Sequence, residues 1–293
     1  MVFERAFLKS LFLSVALLSL TACEQPYLAE AEYEPESNVV LSVQGFDLVP
    51  FDGVDTRSIE EVQQVCSRLN FVVYDADTKV KSIAQKRGDA GFGTIAISLP
   101  QGHYTYAVIA HSSEGSATVT TLEKISFKNN RVTDTFSHSG ELEVGEEPVK
   151  ENVQLRRNTA MFRLILTQPL SQQVAQLKFY YTGGSSTLSA LTGYGSVDSR
   201  QTVILTVEPE QQLFEVYTIP KAETGVLKMT VTALDAEGNT LQERIFTDVP
   251  VQRNRITVCR TSFEDNTPAN TSGEILGQFT LDPEWDGEDE YEH

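Results

Sequence analysis

The chain repeats part of its own pattern, and that limits the folds open to it. Val108-Ile109-Ala110, followed by Glu114-Gly115, recurs as Val231-Thr232-Ala233, followed by Glu237-Gly238, at an offset of 123 positions. Asn130-Arg131-Val132-Thr133 recurs as Asn254-Arg255-Ile256-Thr257 at an offset of 124. Upstream, Leu69-Asn70-Phe71 echoes Leu177-Lys178-Phe179 at an offset of 108, so the second copy carries extra residues around the Gly/Ser-rich stretch Thr182 to Thr202. A period of this length means tandem domains rather than a solenoid.

The repeated unit reads as β-structure. From Asn38 onward, short runs such as Val39–Val43, Leu69–Tyr74, Tyr104–Ala110, Met161–Thr167, Leu213–Ile219 and Leu227–Leu234 alternate with turn residues. That pattern belongs to sandwich or barrel-like β-domains. One stretch, Ser58 to Arg68, has helical spacing: Ile59, Val62, Val65 and Leu69, with Glu60 and Glu61 in its first turn.

The run LPQGHYTYAVIAHSSEG, Leu99 to Gly115, tests whether the chain carries a catalytic pair. His103 and His111 share parity, so they face one way. They lie eight residues apart, roughly 26 Å along a strand, too far to share a metal or a proton. The matching run Gly225 to Asn239 has no histidine at either site. The stretch therefore reads as a scaffold strand.

The N-terminus reads as an address. Arg5 and Lys9 precede the apolar run Leu11 to Leu20, which is too short for a permanent membrane span and has the form of a secretory signal. It ends in Leu20-Thr21-Ala22-Cys23, which resembles the bacterial lipobox. That resemblance implies cleavage before Cys23, lipid attachment at Cys23 and stable anchoring by more than one acyl chain. The expected organisation is a signal peptide over 1–22, an acidic tether over 23–37, a first β-sandwich domain over 38–150, a second over 151–262 and an acidic tail over 263–293.

Charge narrows the partners. Formal net charge is −18, with 41 acidic and 23 basic residues. This argues against nucleic acid and against electrostatic attachment to an anionic membrane surface. Glu24, Glu30, Glu32, Glu34 and Glu36 crowd one end, and Asp282 through Glu292 the other, as solvated tails.

Chemistry-bearing spacings are missing. The four histidines, His103, His111, His138 and His293, are not spaced as metal ligands with one another or with cysteine. There is no Gly-x-Ser-x-Gly nucleophile motif, and Gly183-Gly184-Ser185-Ser186 lacks the Lys-Ser/Thr of a P-loop. The expectation is no enzyme, no metal and no cofactor. Cys66 and Cys259 read either as a disulfide or as two buried thiols. Tyr180, Tyr181, Tyr194 and Tyr217 are candidates for a contact surface, with Tyr181 alternatively in the core beside Phe179.

Several motifs together resemble the fimbrillin-associated anchor and minor-subunit lipoproteins of Bacteroidales. They are the lipobox at Cys23, the run LNFVVYDADTK from Leu69, and the Leu-Pro-x-Gly-x-Tyr turn at Leu99 to Tyr104. The run Val153 to Arg157 leading into Ala160 to Leu164, the Asn-Arg-Ile-Thr segment at Asn254 and the closing Leu281 to Gly287 complete the set. The resemblance implies two tandem transthyretin-like β-sandwich domains. It also implies a non-enzymatic anchor or accessory role in a pilus, lipid-anchored at the outer membrane and displayed on the cell surface. Contacts with other fimbrial subunits would be by strand addition, and Arg57, Arg68, Arg156 and Arg157 are candidates for an Arg-specific maturation protease. The alternative is a glycan-binding surface lipoprotein of a polysaccharide-uptake system, for which the single tryptophan, Trp285, is a poor provision.

Overall fold

Alternating side chains along many short strands give an all-β structure, a computed structural model that describes residues 37–47, 59–263 and 278–282. In the first half the strands are β1 (Val39–Asp47), β2 (Arg68–Asp75), β3 (Thr78–Lys86), β4 (Thr94–Ile97), β5 (Gly102–His111), β6 (Thr118–Thr121), β7 (Lys124–Ser126), β8 (Phe136–Val144) and β9 (Val149–Arg157). In the second they are β10 (Ala160–Leu166), β11 (Gln176–Thr182), β12 (Thr187–Leu188), β13 (Gln201–Thr206), β14 (Leu213–Thr218), β15 (Thr224–Leu234), β16 (Thr240–Gln252), β17 (Ile256–Thr261) and β18 (Gln278–Asp282). The helical spacing near Ser58 corresponds to helix α1 (Ile59–Val65), which contributes Val62 to the core.

Strand pairing exposes the repeat. The first half forms one sheet in the order β3-β2-β5-β8-β9-β1-β4; the second splits the same order into β13-β11-β15-β16 and β14-β10-β17-β18. In each half the opening strand pairs antiparallel with a short partner, β1 with β4 and β10 with β14. In each it also pairs parallel with the closing strand, β1 with β9 and β10 with β17. The matches at offsets 108 and 123 fall on equivalent strands, β2 with β11 and β5 with β15. The Asn-Arg match does not. Asn130 precedes β8, whereas Asn254 precedes β17, the counterpart of β9. What those asparagines share is local: both adopt positive φ, 55° and 60°, a turn conformation that asparagine tolerates.

Each half has its own core. Leu41, Phe71, Tyr106, Phe136 and Leu155 belong to one cluster; Phe162, Phe179, Phe214, Val231 and Phe246 belong to another. The division expected between residues 150 and 151 falls inside β9. Val153 and Leu155 pack in the first core, and β9 is paired with β1 along its length. The chain leaves the first sheet at Arg157, not earlier. The described residues nevertheless belong to one compact unit.

A third cluster joins the halves. The outer face of the first sheet presents Val72, Tyr74, Ala107 and Ile109. The hairpin β6–β7 covers it with Val119, Ile125 and Phe127, and the second half adds Leu188, Ala190 and Ile219. β12 pairs antiparallel with β7, Leu188 opposite Ile125. The extra length of the second copy supplies this contact: residues 76–77 link β2 to β3, whereas residues 183–200 link β11 to β13. Gly183 is required there. Its φ is +100°, and a Cβ would sit 2.2 Å from the Val226 carbonyl oxygen.

His111 closes one end of this covered face and is fully buried. Its Nδ1 accepts from the Ser113 backbone N–H at 3.1 Å, so the neutral ring carries its proton on Nε2, 3.2 Å from Asn70 Oδ1. Its ring stands edge-on to Phe127. Burial first, and the Arg68 guanidinium second, push its pKa down to about 4. At the junction itself, the Arg157 guanidinium forks onto Asp134, with Nε to Oδ1 and Nη2 to Oδ2 both at 3.0 Å. Its Nη1 reaches Asn254 Oδ1 at 2.9 Å, and its plane lies over Phe136.

Two expected outcomes follow from this packing. Arg157→Ala strands the Asp134 carboxylate in a half-dry junction, and denaturant unfolding should show a loss of about 3 kcal/mol; an unchanged midpoint would refute the anchoring role. His111 stays neutral in the fold to about pH 4, whereas the unfolded chain protonates it near 6.5. The unfolded state therefore binds more protons between those values, and stability falls as pH drops from 6.5 to 4. His111→Gln should flatten that slope by up to about 1.4 kcal/mol per pH unit. A small slope of the same sign should remain from His138, whose pKa burial also lowers. An unaltered slope in the variant would refute this assignment.

Candidate functional site

A β-fold binds other chains through edges whose backbone groups lack partners. The edges here are not equivalent. β3 carries Lys79, Lys81 and Lys86, charges that discourage a further strand. β16 is irregular, with a register shift, Asp248 at positive φ and Pro250, which has no N–H to offer. β13, with the sequence Gln201-Thr-Val-Ile-Leu-Thr206, is uncharged and presents Ile204 to solvent.

The outer edge of β9 differs from all of these. It pairs with β8 only at Phe136–Arg157 and Ser137–Arg156. Beyond that corner the two strands part, since β8 stays with β5 through Val144 while β9 stays with β1. His138 sits where they separate. Its ring lies 5.8 Å from that of Tyr106. In the second half the equivalent edge, that of β17, is filled: β18 pairs with it from Ile256–Asp282 to Arg260–Gln278. Among the described residues the two halves thus present the same edge once covered and once open.

The residues singled out in the sequence are dispersed. Cys23, Arg57, Trp285 and His293 lie outside the described residues. His103 is exposed at the start of β5, and His111 is the buried core histidine at its end. Cys66 and Cys259 are free thiols in separate cores, so they do not pair. Burial pushes each up to about 12, which makes them inert. Tyr181 is buried, its hydroxyl donating to the Tyr217 carbonyl at 2.8 Å. Tyr217 packs partly buried at the junction, and Tyr180 is exposed. Tyr194 donates to Glu223 beneath the Arg253 guanidinium. Arg68, Arg156 and Arg157 lie within strands β2 and β9. Among the described residues no three His, Cys, Asp or Glu side chains cluster as metal ligands. The open edge of β9 left no mark in the sequence, since it arises where two strands diverge.

Comparison with solved structures places similar folds among Bacteroidales proteins. The fimbrial anchor protein Mfa2 of Porphyromonas gingivalis is 9% identical, with a TM-score of 0.43 over 83% of this chain and 94% of that one. The C-terminally truncated tip fimbrial protein Mfa3 of the same organism is 11% identical, with a TM-score of 0.39 over 83% and 98%. A protein of Bacteroides thetaiotaomicron provisionally assigned as polysaccharide-binding is 14% identical, with a TM-score of 0.47 over 78% and 92%. No curated protein matches. A single family model spans residues 36–293, and by that match the chain belongs to the family of unknown function DUF6562.

Proposed function

We propose that this chain is a lipid-anchored subunit of a surface fimbria, serving as anchor or accessory component, and that it joins other subunits by strand addition along the outer edge of β9. One observation carries the mechanism: among the described residues, the edge that β18 fills on β17 is open on β9. Main-chain hydrogen bonds to an incoming strand supply affinity whatever the side chains are. The sequence supports the setting. A secretory signal over residues 1–22, with lipid attachment at Cys23, delivers and tethers the chain, and the resemblance to fimbrial lipoproteins supports fimbrial subunits as the partners. The protein acts by binding and turns over no substrate.

Amide hydrogen exchange tests the edge. In the isolated chain the outward amides of Asn152 and Gln154 should exchange quickly, and they should become protected when purified fimbrial subunits from the same cells are added. A complex that forms while those amides stay unprotected would overturn the mechanism. Cys23→Ser tests the tether separately. The variant should leave the membrane fraction and lose fatty-acid labelling, whereas retention of both would refute lipid attachment there. Deleting the gene should shed fimbriae into the medium or strip them of minor components. Unchanged fimbriae with failed growth on one polysaccharide would favour the glycan-uptake alternative.

A further inference from the structure

Outside the corner where β8 and β9 meet, a cleft of about 380 Å³ opens between the two halves. Roughly 300–1,000 Å³ is the usual range for small-molecule sites. Ser137 and His138 come from β8, Gln154 and Arg156 from β9, and Asn158 and Arg253 from the second half's side of the junction. Leu191 closes one wall and is half exposed.

Two features of this lining point to a ligand. The first is an unmatched acceptor. Asn158 is 1% exposed, and its Nδ2 donates to the Gly193 carbonyl at 3.2 Å. Its Oδ1 is buried and meets no donor among the described residues. A desolvated carbonyl oxygen left this way costs free energy until an O–H or N–H reaches it.

The second is positive charge in a strongly acidic protein. Arg156 is exposed at the cleft. Arg253 is held in place rather than swinging, with its guanidinium 4.5 Å from the Tyr194 ring and 3.5 Å from Glu223. That leaves a planar donor group positioned for a second carboxylate. Gly193 keeps the space open. A Cβ there would lie 3.1 Å from Arg253 Nη1 and 3.2 Å from Asn158 Nδ2, so both groups converge on one point. His138, kept below its usual pKa chiefly by burial, enters the cleft as a neutral imidazole able to share hydroxyl protons.

We propose that this cleft binds an acidic sugar residue, with the carboxylate on Arg156 and Arg253 and a ring hydroxyl donating to Asn158 Oδ1. A bare anion would leave Asn158 unmatched, and a neutral sugar would bring no carboxylate to the arginines. The site does not rest on the strand-addition reading, and Gln154 is the one residue that lies at both.

The test uses the full chain in detergent and follows saturation-transfer NMR and titration with three probes: methyl β-D-glucuronoside, methyl β-D-glucoside and acetate. The glucuronoside should bind at least about tenfold more tightly than either of the others, a difference of about 1.4 kcal/mol. Added salt should weaken it. Arg156→Gln and Arg253→Gln should each weaken it about tenfold; Arg156, being exposed, tests the site even if the Arg253 variant melts early. Glucuronoside binding no better than glucoside would overturn the proposal. So would acetate binding as tightly as glucuronoside, which would indicate a simple carboxylate site such as a peptide terminus takes, or affinities unmoved in a folded Arg156→Gln. Protection at β9 is measured without sugar, so either proposal can fail alone.

Discussion

The covering of one sheet face by residues from both halves is the contact on which the rest of the molecule depends. Val72, Tyr74, Ala107 and Ile109 would otherwise present a broad apolar surface on β2 and β5. Burying such side chains contributes roughly 1.5–3 kcal/mol apiece for the larger ones. The hairpin β6–β7 supplies most of the cover, and Leu188, Ala190 and Ile219 complete it. Because the last three belong to the second half, the same burial that finishes the first half fixes the second against it. The Arg157–Asp134 pair then sets the junction's geometry in a place where a lone charge would be costly.

The halves share a strand order but differ in which surfaces are covered. The face covered in the first half is open in the second, where Tyr180, Ile204 and Ile245 stand 38%, 49% and 48% exposed. Conversely, among the described residues the edge of β17 is filled and that of β9 is open. A single repeated plan thus yields one half shaped for internal contact and one edge available to another chain. The cleft at the junction is a product of the same arrangement, since neither half alone brings Arg156 and Arg253 together.

Much of this could be read from residues. Alternation along Leu69–Tyr74 and Tyr104–Ala110 announces strands, and the insertion near Gly183 follows from two unequal offsets. The limits have physical causes. Asn130 and Asn254 look equivalent because a left-handed turn selects the same residue wherever it occurs. The division expected between residues 150 and 151 overlooks that Val149, Val153 and Leu155 share one face of a strand that packs in the first core. The roles of His111, Asn158 and Arg253 depend on partners far away in sequence, which no local pattern encodes.

The parallel pairing of each half's first and last strands has a mechanical meaning. β1 and β9 run side by side through eight paired positions, with the chain entering at one end and leaving at the other. β10 and β17 repeat this over six. Tension applied along the chain therefore slides each pair lengthwise, so its hydrogen bonds share the load and must break nearly together instead of peeling one by one. A protein tethered at one end and pulled at the other would meet its greatest resistance to extension in these two ladders.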